Sequence, residues 1–143
     1  MSTPVVILLP TDDSPSAHRA ARHVIHLSEH GLPVEVHLLN VQPALRGVAP
    51  MLIARAELND YHRDEGMRAL ANTRQELEKA GITVHPHVGV GSPGDEILAF
   101  AKELRCDQII MGTRGLGSIA SLVLGSVASK VVGESDLPVT VLR

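Results

Sequence analysis

Aromatic side chains are almost missing from this 143-residue chain, which has one tyrosine, Tyr61, one phenylalanine, Phe100, and no tryptophan. Its core must be assembled from valine, leucine, isoleucine and alanine, and the stacking platforms that hold single-stranded nucleic acid are absent. A basic excess is lacking too: 13 lysines and arginines stand against 16 acidic residues, for a net charge of -3. Such a surface releases few counterions from a phosphate backbone, so nucleic acid is not an expected partner. The one cysteine, Cys106, has no second cysteine to bridge with. No apolar stretch at the start carries the basic flank and cleavage site of a signal peptide, and a reducing, cytoplasmic setting is expected. The longest apolar runs, such as PVVILLP at 4–10, fall far short of the ~20 residues of a membrane span, and no membrane association is expected.

What is there instead is alternation. Short β-rich apolar runs take turns with longer stretches of helical period, the pattern of βαβ units and a parallel sheet. The length suits one domain over residues 1–143, large enough to bury roughly 70% of its unfolded surface. Five strands are predicted: Pro4 to Pro10, Val34 to Val41, Ile82 to Val90, Gln108 to Gly112 and Pro138 to Leu142. VVILL in the first is apolar without alternation, as a central strand covered on both faces requires. Four helices lie between them. The first is capped by Ser14, carries Pro15 in its first turn and stops at Gly31, with Ala17, Ala20, Ala21, Val24 and Ile25 as its buried stripe. The second spans about Ala54 to Ala80, with Met67, Leu70 and Leu77 inward. The third runs from about Pro93 or Asp95 to Leu104, and the fourth begins near Ser126 and closes by Asp136. The stretch from Gln42 to Ile53, with two prolines and a glycine, reads as a mobile loop.

Pro86 falls inside the third strand, and proline is tolerated in a sheet mainly at an edge. With right-handed crossovers and the first strand central, the order becomes 3-2-1-4-5, a doubly wound five-stranded parallel sheet with helices on both faces. The chain reverses direction between the first and fourth strands, and the crevice at that switch point is where a ligand is expected. Its rim would be the loops Thr11 to Ser14 and Gly112 to Ser126.

Two glycine-rich stretches compete for the role of phosphate cradle. GVGSPG, residues 89–94, satisfies G-x-G-x-x-G, but it follows the predicted edge strand, and the next strand ends in Ile110, Met111, Gly112 and Thr113 with no acid for a ribose. It reads as a turn into the third helix. A near-match at Gly115, Gly117 and Ala120 fails for the same reason. The second stretch, GTRGLGSIASLVLGS, residues 112–126, begins where the fourth strand meets the crevice. Glycines there let backbone N–H groups approach an anion, and Gly125 and Ser126 open a helix whose first amides and dipole favour phosphate. Taken alone, glycines in a loop are more often turns than ligand sites.

Gly112-x2-Gly115-x9-Gly125-Ser126 matches, in identical spacing, the G-x2-G-x9-G-[S/T] motif of the ATP-binding branch of the universal stress protein family. PTDDSPSA after the first strand resembles that family's P-x-D-x-S stretch, as do Asn40 and Val41 at the end of the second strand. GSPGDEI at the third helix and LPVTVL at the end also resemble it, so the likeness covers the whole chain. The resemblance implies an ATP site in the crevice. Asp12 would lie near the ribose or a bound Mg²⁺, and Thr11 and Val41 on the adenine, with Pro10 beside them. Met111, Gly112, Arg114, Gly115, Gly125, Ser126 and Val127 would hold ribose and phosphates. Two departures stand out. Gly117 to Leu124 carries no lysine or arginine, leaving Arg114 and Lys130 as the nearby cations, and Asp13 replaces a glycine common after the first aspartate, adding negative charge near the site. Mg²⁺ would offset that charge.

Other constellations are weaker. Asp12 and Asp13 resemble the acidic pair of a receiver domain, but the acceptor aspartate position holds Val88, Gly89 and Val90, and the final lysine position Leu142 and Arg143. N-type ATP pyrophosphatases need a glycine-rich loop after the first strand, which PTDDSPS does not supply. Among eight histidines, His26 and His30 are spaced i, i+4 and His85 and His87 share a strand face, yet neither pair has a third ligand at recognisable spacing. Cys106 reads as a structural thiol. Asp95 and Glu96 suit the start of a helix. No residue is placed as a general base for γ-phosphate attack, so hydrolysis is expected to be slow at most. The expected role is a regulatory ATP-binding stress protein, with a non-nucleotide-binding dimeric interaction module of the same fold as the alternative. The short apolar last strand, Val139, Thr140, Val141 and Leu142, lies at an edge, and the resemblance implies a homodimer through it.

Overall fold

The computed structural model describes residues 3–44, 55–113 and 124–143. The order of elements is β1 (Val5–Pro10), α1 (Pro15–Glu29), β2 (Val34–Gln42), α2 (Arg55–Lys79), β3 (Thr83–Val90), α3 (Pro93–Glu103), β4 (Gln108–Gly112), α4 (Ser126–Glu134) and β5 (Val139–Leu142). The strands form one sheet in the order β3-β2-β1-β4-β5, with every neighbouring pair parallel. This is the doubly wound arrangement that Pro86 implied, with Pro86 on the edge strand β3 in register with Leu38.

The unbroken apolar run of β1 is explained by its neighbours. Ile7 and Leu9 point to one face and join Val36, Leu38 and Ile110 under Ala20, Ala21 and Val24 of α1 and Leu70 and Leu77 of α2. Leu8 points to the other and joins Leu39, Ile109 and Met111 under Ile97 and Ala101 of α3 and Ala128 and Val131 of α4. Period-two side chains on a strand covered twice leave no position for a polar residue. Each fully buried aliphatic side chain here contributes about 1.5–3 kcal/mol relative to exposure.

Helix α1 starts as expected: the Ser14 hydroxyl accepts the Ala17 N–H at 3.3 Å, with Pro15 in the first turn. Its buried stripe begins one residue earlier than periodicity suggested, with Ser16 buried and Ile25 only half-buried at the rim of the core. Helix α4 closes at Glu134, before Asp136 as expected. Ser135 turns extended, at φ -73 and ψ 136, and its hydroxyl both donates to the Leu137 carbonyl and accepts the Leu137 N–H at 2.9 Å. That local ring offers the backbone an alternative to another helical turn. The expected loop from Gln42 to Ile53 begins one residue late, because Gln42 still pairs with Val90 in the sheet; beyond Ala44 it lies outside the described residues.

Candidate functional site at the switch point

The chain leaves β1 toward β2 on one side and returns to β4 on the other, and the loops at these strand ends part around a cleft of about 570 Å³. Pro10, Thr11, Asp12, Val41, Met111, Gly112, Gly125, Ser126 and Val127 all line it, as the sequence suggested. Arg114 and Gly115 lie outside the described residues. Thr113 also falls in the expected rim loop Gly112 to Ser126, whereas sequence reasoning missed Leu39 and Pro43. It also missed Pro93 and Ile97, which α3 brings to the same cleft from the far side of the sheet order. Only the packing of α3 over the sheet reveals that pair, so the rejected glycine stretch still borders the site through the helix it opens.

Backbone and side-chain bonds fix the first wall. The Thr11 N–H donates to the Leu39 carbonyl at 2.8 Å, and the buried Asn40 amide donates back to the Thr11 carbonyl at 2.9 Å. The Gln42 amide in turn donates to Asn40 Oδ1 at 2.6 Å. Asp12 Oδ1 accepts the Ser14 N–H at 3.0 Å, the local turn that aspartate favours, and Asp12 remains exposed at the cleft rim. Asp13 has a φ of 65, the left-handed conformation that explains why glycine is common here and that aspartate tolerates. Its carboxylate lies 2.6 Å from His18 Nε2 and does not line the cleft. The expected extra negative charge is therefore turned onto α1.

The second wall is the start of α4. The Gly125 N–H donates to the Thr113 carbonyl at 2.6 Å and the Thr113 N–H to the Leu142 carbonyl at 2.7 Å, pinning this helix start to the ends of β4 and β5. Among the described residues no side chain caps α4, and no acid occupies its first turn. By contrast α1 has its serine cap, and α3 has Asp95 and Glu96 in its first turn. An uncapped helix start presents amides and a partial positive charge to whatever lies before it. The Thr113 hydroxyl is buried with no hydrogen-bond partner among the described residues.

Leu39, Val41, Met111 and Ile97 supply an apolar slot, and Asp12 is the one charged side chain among the described lining residues. Lys130, expected as a nearby cation, is committed elsewhere: its ammonium lies 2.9 Å from Glu134 and 3.2 Å from Asp95. The arrangement suits a flat apolar group against the slot and an anion at the α4 start.

The other singled-out groups fall away from the cleft. Cys106 is buried and its thiol is pushed up to about 11, by burial first and Asp107 second, which keeps it an inert thiol at neutral pH. His85 and His87 gain a neighbour that spacing did not show, His37 from β2, whose Nδ1 lies 2.8 Å from His87 Nε2. Burial, then the other imidazoles, hold both His37 and His87 below the ordinary histidine value, with Glu35 partly opposing this at His37. Among the described residues no helix is long and apolar enough to cross a membrane.

The strand order, the crossovers and the cleft define a doubly wound α/β protein of Rossmann-like architecture with its pocket at the switch point. The chain belongs to the universal stress protein family, whose model matches residues 6–143. It is 31% identical to Universal stress protein MJ0531 of Methanocaldococcus jannaschii, over 96% of this chain and 81% of that one. It is 32% identical to Universal stress protein G of Escherichia coli O157:H7, over 96% and 97% of the two chains. Among solved structures, protein MJ0577 of Methanocaldococcus jannaschii superposes with a TM-score of 0.83 at 33% identity, covering 96% of this chain and 94% of the other. An Arabidopsis thaliana universal stress protein family protein with AMP bound shares the fold, with a TM-score of 0.71 at 19% identity over 97% of this chain and 91% of that one.

Proposed function

We propose that this chain is a regulatory module that binds an adenine nucleotide in the switch-point cleft, with ATP as the intended ligand. The observation that carries the reading is the acid-free start of α4, uncapped among the described residues, facing the apolar slot of a cleft of about 570 Å³. Adenine would lie against Val41 and Thr11, with Asp12 near the ribose, and phosphates at Gly125, Ser126 and Val127. Arg114 and Gly115 belong to the same proposed site through the family motif. Mg²⁺ would be held by the exposed Asp12 carboxylate and phosphate oxygens, the all-oxygen set this ion prefers. That the same fold accommodates AMP in one relative supports an adenine nucleotide here. Asp12 is the only acid among the described lining residues and no imidazole joins it, so the module would hydrolyse ATP slowly at most.

The wider proposal is one domain acting as a cytoplasmic homodimer through β5, whose outer edge has no partner strand among the described residues. Proline at Val141 would abolish that dimer in sedimentation. For the cleft, the decisive experiment is to denature the purified protein, identify any released nucleotide by chromatography, and titrate ATP with and without Mg²⁺ into the emptied protein by calorimetry. Released or saturably bound ATP, lost in Gly115→Val, is the expected result. No release and no heat would overturn the reading and leave an interaction module of the same fold.

A further inference from the structure

Strand pairing assembles a second cluster, on the sheet face packed by α3 and away from the cleft lining. β2 and β3 run in parallel with His37 opposite His85 and Leu39 opposite His87. Side chains two apart on a strand share a face, so Glu35, His37, His85 and His87 stand together. His37 Nδ1 and His87 Nε2 are 2.8 Å apart. The ring of His85 lies 5.0 Å from that of His37, centre to centre, and its Nε2 is 2.8 Å from Glu35 Oε1. Phe100 of α3 backs the group, 5.8 Å from the ring of His87. The other side is open to solvent, with the His85 side chain 44% exposed.

Two imidazole nitrogens at hydrogen-bond distance share one proton, one donating and the other accepting. Shifting that proton to the far nitrogen of its own ring leaves two lone pairs facing one another, with no change in charge. A tetrahedral ion with metal–nitrogen bonds of about 2.0–2.1 Å holds its ligands roughly 3.3 Å apart, so the pair has to open by only about 0.5 Å. Glu35 accepts the Nε2–H of His85, which leaves His85 Nδ1 as the free donor, the carboxylate–histidine arrangement that orients metal ligands. As the rings now stand, no three of the described histidine, cysteine or acidic side chains form a ready cage. Rotation of the exposed His85 ring is the step that supplies the third ligand.

We propose that His37, His87 and His85 bind a borderline divalent transition ion, Zn²⁺ being the representative, with Glu35 positioning His85 and water completing the shell. Imidazole donors select such ions over Mg²⁺ and Ca²⁺, which want oxygen. The site is independent of the nucleotide reading. On α1, the ring of His30 already bonds through Nδ1 to the His26 carbonyl at 2.9 Å, so the His26 and His30 pair serves as the control.

Tag-free protein titrated with Zn²⁺ by calorimetry near neutral pH is expected to take up one equivalent, and none of Mg²⁺. His37→Gln and His87→Gln each weaken uptake roughly tenfold or more; His85→Gln weakens it less, and the double change His26→Gln with His30→Gln leaves it unchanged. Imidazole nitrogen NMR of the wild-type protein gives a readout that needs no variant: Zn²⁺ should shift His37 Nδ1 and His87 Nε2. Absence of uptake, uptake indifferent to both His37 and His87, or shifts confined to His26 and His30 would overturn the proposal.

Discussion

The two glycine-rich stretches look alike as strings and differ as structures. In GVGSPG, Gly91 has a φ of 138 and donates its N–H to the Gln42 carbonyl at 2.9 Å, so it is a glycine of backbone geometry. Gly112, which opens the second stretch, is a glycine of close approach: a Cβ there would press on Ser16 and sit 2.8 Å from the Ala17 nitrogen. Neither needs a ligand to explain it. What separates the stretches is the helix each one opens. Helix α3 starts beside the edge strand with Asp95 and Glu96 already in its first turn, whereas α4 starts at the switch point with no acid there; neither start has a side-chain cap among the described residues. Attraction for an anion follows the unfilled helix start and its place in the sheet, and glycine count is a poor guide to it.

That contrast can be broken by substitution. The largest effect is expected at Gly112→Val, where backbone of α1 stands in the way and overpacking should cost about 1–3 kcal/mol, read as a fall in the denaturation midpoint. A wild-type midpoint would mean that α1 is not seated against β4 as described. Gly91→Ala comes next: the strained φ should cost about 1–2 kcal/mol in the same measurement. Ser126→Asp tests the helix starts with opposite signs. A carboxylate at the uncapped α4 start should stabilise the free protein by about 0.3–1 kcal/mol yet weaken ATP binding by roughly tenfold, about 1.4 kcal/mol. Ser92→Asp at α3 should leave ATP binding unchanged, and equal losses at both positions would erase the distinction. Gly94→Ala should do least, because the atoms in the way all belong to one side chain, Lys130, with Cδ at 2.6 Å, Cγ at 3.2 Å and Cβ at 3.3 Å. The helical gain from alanine, up to about 1 kcal/mol, then offsets the shift.

A separate effect concerns pH. His37 and His87 titrate below the ordinary histidine value of 6.5 in the folded chain. The unfolded chain therefore binds more protons in the window beneath 6.5, and the folded state loses stability as pH falls through it. His85 and Glu35 face these rings from the strands and Phe100 from α3. In chelator-treated protein, the loss between neutral and mildly acidic pH should shrink when both His37 and His87 are glutamine; an unchanged slope would place the proton uptake elsewhere.

Much of the architecture was legible because it is written in local periodicity. VVILL announced a strand covered twice, Ser14 and Pro15 announced the start of α1, and Pro86 placed β3 at the edge, from which the strand order followed. The rim of the cleft was legible for the same reason, since a switch point follows from the order. Pro93 and Ile97 were not, because their arrival depends on the angle at which α3 crosses the sheet. Asp13 and Lys130 were read as charges beside the cleft, and only folding showed each already paired, with His18 and with Glu134 and Asp95.

The sequence by itself determined which segments are strands, which are helices, and on which side of β1 each strand falls, since hydrophobic period, caps and proline act within a few residues along the chain. Tertiary structure alone decided which side chains meet. His37 stands 50 residues before His87, and no spacing rule links them, because register between neighbouring strands is set by the packing of whole sheet faces. The switch-point cleft and the histidine cluster are both made of such meetings.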